Sequence, residues 1–292
     1  MTSGFLLVDK PRGITSTDVV NRVKRVTGVR KCGHAGTLDP MATGLVVVAI
    51  GPVTRLIRFI QDLKKEYLAT AEFGVSTDTL DADGAVLDRA PMSVTVADLE
   101  EVKPRFVGTI LQIPPMVSAL KHQGKRLHEL ARAGVVVERE ARPVEIEELD
   151  FLSVGPGPYP EVEFRVLCGK GTYVRSLAHD VAAALGGRAH LTRLRRTRIG
   201  TLDVDQEGIH ADNLEGWEMK LLSPSTALRD LPGIIIDAPT ENGVRYGMRF
   251  VGGELSSMPP DVPVRVESAS GELLAVYRRT GDTARAEVVL PS

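Results

Sequence analysis

The sequence predicts an α+β fold followed by a small β domain, and three observations carry that expectation. Apolar periodicity switches between strand and helix repeats without the regular βαβ rhythm of a doubly wound sheet. Residues 223 to 239 turn to Pro, Ser and Gly, a composition that marks a boundary. Beyond it come short β-rich pieces at 262–267, 273–277 and 286–290, separated by Gly-containing turns, as in a small open barrel. The expected organisation is a large domain over residues 1–230 and a small β domain over 231–292.

Each element has a local cause. Phe5, Leu6, Leu7 and Val8 form an apolar run that ends in Asp9-Lys10-Pro11-Arg12-Gly13, a strand entering a turn. Thr15 or Ser16 then offers an N-cap, and Val19, Val20, Val23 and Val26 give a helical stripe stopping at Gly28. Residues 45–50 are uniformly apolar and read as a buried strand. Leu56, Ile57, Ile60 and Leu63 suggest a second helix. Tyr67, Ala69, Ala71 and Phe73 share one parity, which fits a half-buried strand beginning at Glu66. Residues 161–168 read as another strand, and Leu177, Ala178, Val181, Ala182 and Leu185 as a helix closed by Gly186-Gly187.

Composition bounds the function. With 43% hydrophobic and 25% charged residues in 292, the chain can bury a sizeable core. The run at 45–50 is far too short to span a bilayer, and the N-terminus lacks the pattern of a signal peptide. Cys32 and Cys168 offer neither a disulfide framework nor metal-ligand spacing, which suits a reducing compartment. A soluble cytoplasmic protein without membrane association is expected.

A net charge of -2 does not advertise a polyanion partner, but its distribution does. Residues 1–38 carry Lys10, Arg12, Arg22, Lys24, Arg25, Arg30 and Lys31 against Asp9 and Asp18. Residues 181–202 carry Arg188, Arg193, Arg195, Arg196 and Arg198 and no acid. One such run alone is ordinarily a solvated face. Two of them, each beside an unusual motif, point to a polyanion partner.

Three motif matches fail. Thr79 to Gly84 imitates part of an EF-hand loop, but Thr79 and Ala90 stand where its first and twelfth ligands belong, so an acidic surface hairpin is expected. Gly169-Lys170-Gly171-Thr172 lacks the spacer of a phosphate loop. His34, His122 and His190 do not combine with the cysteines into zinc spacing. No metal and no nucleotide cofactor are expected.

The segment that carries chemistry runs from Gly33 to Gly44, Gly-His-Ala-Gly-Thr-Leu-Asp-Pro-Met-Ala-Thr-Gly. Three glycines and a proline force a tight irregular loop in front of an apolar strand. An aspartate there ordinarily closes an Asx turn. Asp39 instead stands between a rigid loop and a buried strand, five residues after His34, as a presented carboxylate does.

Gly33-His34-x-Gly36-x-Leu38-Asp39-Pro40 followed by Ala42-Thr43-Gly44 resembles the signature loop of TruB-type tRNA pseudouridine synthases. Four further segments in the family's order strengthen the resemblance over about residues 5–200. They are Val8-Asp9-Lys10-Pro11-x-Gly13-x-Thr15-Ser16, Glu66-Tyr67 with Ser76 to Gly84, Gln112 to Lys125, and Gly169-x-Gly171-Thr172-Tyr173-Val174-Arg175 with Leu194-Arg195-Arg196. The resemblance implies the pseudouridine synthase fold, a mixed, largely antiparallel sheet with flanking helices, and a C-terminal PUA-like module. It implies Asp39 as catalytic nucleophile, Tyr67 as the aromatic that stacks on the target base, and His34, Tyr173 and Leu194 as contacts to the target nucleotide. Arg175 is expected to pair with Asp39 and keep it ionised.

The implied partner is tRNA, through its T-arm, and the implied target is uridine 55 of the T-loop, flipped out of the stack. An RNA-clamping insertion is expected at about 112–134, bearing Lys121, Lys125, Arg126 and Arg132. A monomer without an obligate protein partner is expected. The residues alone reach only an RNA base enzyme with a carboxylate nucleophile. A tRNA-folding chaperone, a synthase acting on ribosomal or guide-directed sites, and a carbohydrate hydrolase stay open as alternatives. So do the covalent and glycal routes of glycosidic cleavage.

Overall fold

A computed structural model describes residues 2–117, 121–122, 125–126 and 137–291. It begins with β1 (Gly4–Lys10), α1 (Ser16–Thr27), β2 (Cys32–His34), β3 (Thr43–Ile50) and α2 (Ile57–Gln61). Then come β4 (Lys65–Phe73), β5 (Val75–Thr77), β6 (Val86–Arg89), α3 (Val96–Val102) and β7 (Gly108–Gln112). The short strands β8 (Lys121–His122) and β9 (Lys125–Arg126) pair with each other. They precede β10 (Arg142–Val154), β11 (Glu161–Cys168), α4 (Val174–Ala184) and β12 (Ala189–Ile199). The chain continues through β13 (Leu202–Asp203), α5 (Val204–Glu207), β14 (Ile209–His210), α6 (Pro224–Ala227), β15 (Gly233–Ile235) and α7 (Ala238–Arg245). It ends in β16 (Phe250–Val251), β17 (Pro263–Glu267), β18 (Leu273–Thr280) and β19 (Thr283–Val289). These elements form two compact units, one of Met1–Asp39, Gly44–Asp62 and Ile199–Ser292, the other of Pro40–Thr43 and Leu63–Arg198.

In the first unit β1 pairs antiparallel with β3 along its whole length, from Gly4↔Ile50 to Lys10↔Gly44. Residues 5–8 and 45–50 are all buried, so both faces of these strands are covered. That is why they read as continuous apolar runs and not as alternations. Thr15 caps α1 in a reciprocal capping box with Asp18, and Gly28 closes it with the left-handed C-cap. The stripe of α1 buries Val19, Val20 and Val23 but leaves Val26 half exposed, because the helix ends one residue later.

The helix expected from Leu56 to Leu63 shrinks to a 3-10 turn, Gly51–Leu56, followed by the short α2. Pro52 starts that turn, and β4 takes over at Lys65, so there is no room for more. The C-terminal part of the unit is a five-stranded sheet ordered β15-β17-β18-β19-β16. It has its own core, in which Val244 of α7 meets Met258, Val264 and Tyr277. Arg58 of α2 pairs with Glu287 of β19 at 2.9 Å.

In the second unit the strands run in the order β12-β4-β11-β10-β7. β4 and β11 pair antiparallel in unbroken register, with Tyr67 opposite Val166. Ala69, Ala71 and Phe73 are buried as their shared parity requires, and Tyr67 is half-buried. The other face is polar, as alternation suggests, but part of it is buried. Glu66 is itself buried and accepts hydrogen bonds from Thr197 Oγ1 (2.8 Å), Arg198 Nε (3.1 Å) and Arg165 (3.0 Å). The basic stretch at 181–202 is therefore partly consumed within the unit. Arg188 pairs with Asp88, Arg193 with Glu161 and Arg198 with Glu66, while Arg196 is buried. The expected clamping insertion falls mostly outside the described residues. Among the described residues, no helix is long and apolar enough to cross a membrane.

Glu66 ties stability to pH. Burial pushes its carboxyl up, but hydrogen bonds from Arg198, Thr197 and Arg165 more than offset this and hold it below the ordinary 4.5. A lowered folded-state pKa contributes stability that is present above the unfolded-state value and is lost as pH falls through the folded one. Glu66→Gln removes the charge and keeps the shape, at an expected cost of about 1–3 kcal/mol at neutral pH, because both arginines are partly exposed. Urea unfolding of the two proteins should differ at neutral pH and converge in acid. A gap of equal size at both would contradict the assignment.

Candidate active site

The Asp39 loop belongs to the first unit up to Asp39 and again from Gly44, and it is held there from its strand ends. Lys10 pairs across the sheet with Gly44 at the base of β3. Its buried ammonium donates to the Pro11 carbonyl at 3.0 Å and the Ile14 carbonyl at 2.9 Å, which fixes the turn into α1. The first residue of α1, Ser16, accepts the Leu38 N–H on its hydroxyl at 2.8 Å, inside the core. Ala35 N–H donates to the Val47 carbonyl at 2.9 Å. Gly36 at φ 126° and Gly44 at φ 99° adopt conformations that side-chain-bearing residues avoid, so the loop can double back beside the strand. Leu38 and Met41 are buried and Asp39 is half-buried. The loop is thus wired on both sides of a partly accessible carboxylate. His34, at the end of β2 and opposite Val48, is half-buried in the same unit.

The second unit holds Tyr67, Tyr173, Arg175 and Leu194. Tyr173 is the N-cap residue of α4, and Arg175 lies in its first turn. Arg175 is only 2% exposed. Its Nη1 donates to the Thr79 carbonyl at 2.9 Å and the Asp81 carboxylate at 3.1 Å, and its Nη2 donates to the Val117 carbonyl at 2.8 Å. Planar donors meeting two carbonyls and a carboxylate fix both the position and the tilt of the group. Leu194 is buried on β12, and Tyr67 lies on the neighbouring strand β4.

Asp81 corrects the expected acidic surface hairpin. Asp78 and Asp83 do belong to a turn, but Asp81 faces inward and is 5% exposed. A buried carboxylate needs a buried cation, and Arg175 supplies it. The turn carries strain for this purpose: Leu80 stands at φ 62°, a left-handed conformation that costs a branched side chain about 1–3 kcal/mol. The Leu191 N–H holds it by donating to the Leu80 carbonyl at 3.0 Å. No feature of composition separates Asp81 from its acidic neighbours, and only the motif match pointed to the segment. Gln112 was likewise missed as an individual residue. It is 1% exposed and its side-chain amide bonds the Tyr173 backbone.

Thiol chemistry is disfavoured. Burial pushes the Cys168 thiol up to about 11, and burial raises that of Cys32 as well, so neither favours the thiolate. Among the described residues, no group of three or more His, Cys, Asp or Glu side chains could hold a metal ion. The chemistry-bearing groups are an aspartate on a wired loop, an immobilised arginine and two half-buried tyrosines.

The fold and its relatives define the pseudouridine synthase class. The profile of the TruB family pseudouridylate synthase N-terminal domain matches residues 24–174. The tRNA pseudouridine synthase B of Burkholderia pseudomallei (strain 668) is 42% identical over 282 residues, covering 94% of this chain and 92% of that protein. That of Mannheimia succiniciproducens is 40% identical over 254 residues, covering 84% and 82%. The crystal structure of a Cbf5-Nop10-Gar1 complex has a chain similar to this one with a TM-score of 0.75 and 26% identity. The alignment covers 99% of this chain and 85% of that one. The chain belongs to the TruB family of pseudouridylate synthases, and it is an enzyme of the isomerase class.

Asp81→Leu removes a carboxylate from a guanidinium that is itself buried, so an unfolding free energy lower by about 3–5 kcal/mol is expected. Asp81→Asn, which keeps a hydrogen-bond acceptor, should lose less. Thermal and urea unfolding measure both, and a neutral Asp81→Leu would show that the pair carries no structural weight.

Proposed function

We propose that the protein converts uridine 55 in the T-loop of tRNA to pseudouridine, with Asp39 as the reacting carboxylate. The observation that carries this is the Asp39 loop itself, wired through Ser16, Gly36 and Gly44 so that a half-buried carboxylate is held out in a chain of this family. The relatives at 40–42% identity are tRNA pseudouridine synthases B, which supports tRNA as the substrate.

In this reading the N1–C1′ bond breaks, the freed uracil turns, and a C5–C1′ bond forms as the C5 proton leaves and N1 regains one. The reaction balances without a co-reactant. The Asp39 carboxylate acts either by attacking C1′ or by abstracting the sugar proton next to it. Arg175 pairs with Asp39 and keeps it ionised, which favours both routes. Tyr67 stacks on the extruded base, and its hydroxyl assists removal of the C5 proton. Tyr173 and Leu194 wall the uridine pocket, and His34 fills the space the base leaves in the RNA. Stacking and phosphate contacts offset an unstacking cost of a few kcal/mol. Residues 1–230 carry catalysis and 231–292 form a PUA-like module, a division supported by the separate core of the C-terminal sheet.

Tritium release from unmodified tRNA containing [5-³H]uridine tests the reading. Wild-type protein should release tritium, and Asp39→Asn should release none while still binding the RNA. Tyr67→Phe should bind and stall. Release by Asp39→Asn at the wild-type rate would overturn the nucleophile. Binding without release by the wild type would favour a tRNA-folding chaperone.

A further inference from the structure

Gln112 is the last residue of β7 and is almost wholly removed from solvent. A buried side-chain amide is costly unless its donor and acceptor are both used. Both are used on one distant residue. The Gln112 Oε1 accepts the Tyr173 N–H at 2.8 Å, and its Nε2 donates to the Tyr173 carbonyl at 3.1 Å. That same carbonyl also accepts the first intrahelical hydrogen bond of α4, from Leu177 N–H at 3.0 Å. The peptide frame of Tyr173 is therefore held from two sides, with no side-chain cap of its own to steady it. The clamp continues along the first turn of α4. Ser176 Oγ donates to the Ile113 carbonyl at 3.0 Å, and Arg175 Nη2 to the Val117 carbonyl at 2.8 Å. A backbone so fixed sets where the Tyr173 Cβ stands and which rotamers its ring can adopt.

We propose that Gln112 is a positioning residue for pseudouridine formation: its amide locks the backbone of Tyr173 and thereby aims the Tyr173 ring and the Arg175 guanidinium. The inference rests on the reading of Tyr173 as a wall of the uridine pocket and names the group that holds that wall in place. Misplacement of a pocket wall slows the chemical step more than it weakens RNA binding, because most of the RNA affinity comes from phosphate contacts elsewhere.

The test exploits the reciprocity of the pair. Gln112→Met keeps the volume and loses both hydrogen bonds. Gln112→Glu restores both when its carboxyl is protonated, since the C=O then accepts and the O–H donates, but as a carboxylate it sets an acceptor against the Tyr173 carbonyl. Burial raises such a carboxyl pKa. The cations Arg175, two residues from Tyr173, and Arg142, paired with Gln112 across β7 and β10, act in the opposite direction, although the Arg175 guanidinium is already held by Asp81. Single-turnover tritium release, RNA affinity and unfolding temperature are measured for the full-length variants on the same tRNA.

Gln112→Met is expected to release tritium about 10- to 100-fold more slowly with RNA affinity unchanged. The rate of Gln112→Glu relative to wild type should climb as pH is lowered from about 8 to about 6, whereas that of Gln112→Met stays flat. A wild-type rate for Gln112→Met overturns the inference, and so does a Gln112→Glu deficit equal at both pH values. If Gln112→Met does not fold, the pH response of Gln112→Glu decides alone. Tyr173→Leu separates the two layers: a wild-type rate there removes the pocket reading and this inference with it. A slow Tyr173→Leu beside a fully active Gln112→Met overturns the role of Gln112 only.

Discussion

A guanidinium withdrawn from water has to be surrounded by acceptors, and in this protein that requirement organises the second unit. Arg175 sits in the first turn of α4 with Asp81, Thr79 and Val117 around it. To supply Asp81 and the Thr79 carbonyl from one short turn, the backbone takes the left-handed conformation at Leu80. Strain of that kind persists only where the surroundings over-determine it. Here the Leu191 N–H and the ion pair do so. The same turn of α4 carries Tyr173 and Ser176, so the arginine's anchorage also fixes its neighbours.

The first unit solves a different problem with different means. A carboxylate that reacts must be accessible, and an accessible loop ordinarily wanders. Rigidity is supplied from beneath, by the buried Ser16–Leu38 hydrogen bond, by Lys10 under the preceding turn, and by two glycines whose conformations let the chain fold back on β3. None of these groups needs to touch a substrate to matter. Together they set where Asp39 is held, which is the preorganisation that its proposed role requires.

What could be read in advance follows from the range of the interactions. Helix α1, with its cap at Thr15 and its stop at Gly28, is written in residues a few positions apart, and it forms where expected. Strand β11 and the three C-terminal strands are equally local in their signal. Glu66, Asp81 and Gln112 are not. Their partners lie 132, 94 and 61 residues away at Arg198, Arg175 and Tyr173, so their burial depends on strand order that no window of sequence contains. For the same reason the pairing of Arg188, Arg193 and Arg198 with Asp88, Glu161 and Glu66 is not visible in the basic stretch itself. The candidate site residues themselves were legible through motif resemblance and not through periodicity. Leu194 is the plainest case, a buried strand leucine that composition would never single out.

The proposed reaction isomerises one uridine in the T-loop of tRNA. Nucleotide-resolution mapping of pseudouridine in an unmodified tRNA transcript, after incubation with the full-length protein, tests it most directly. A single modified nucleotide, uridine 55, is expected. Pseudouridine at other positions with uridine 55 untouched, or none in a transcript that the protein binds, would contradict it.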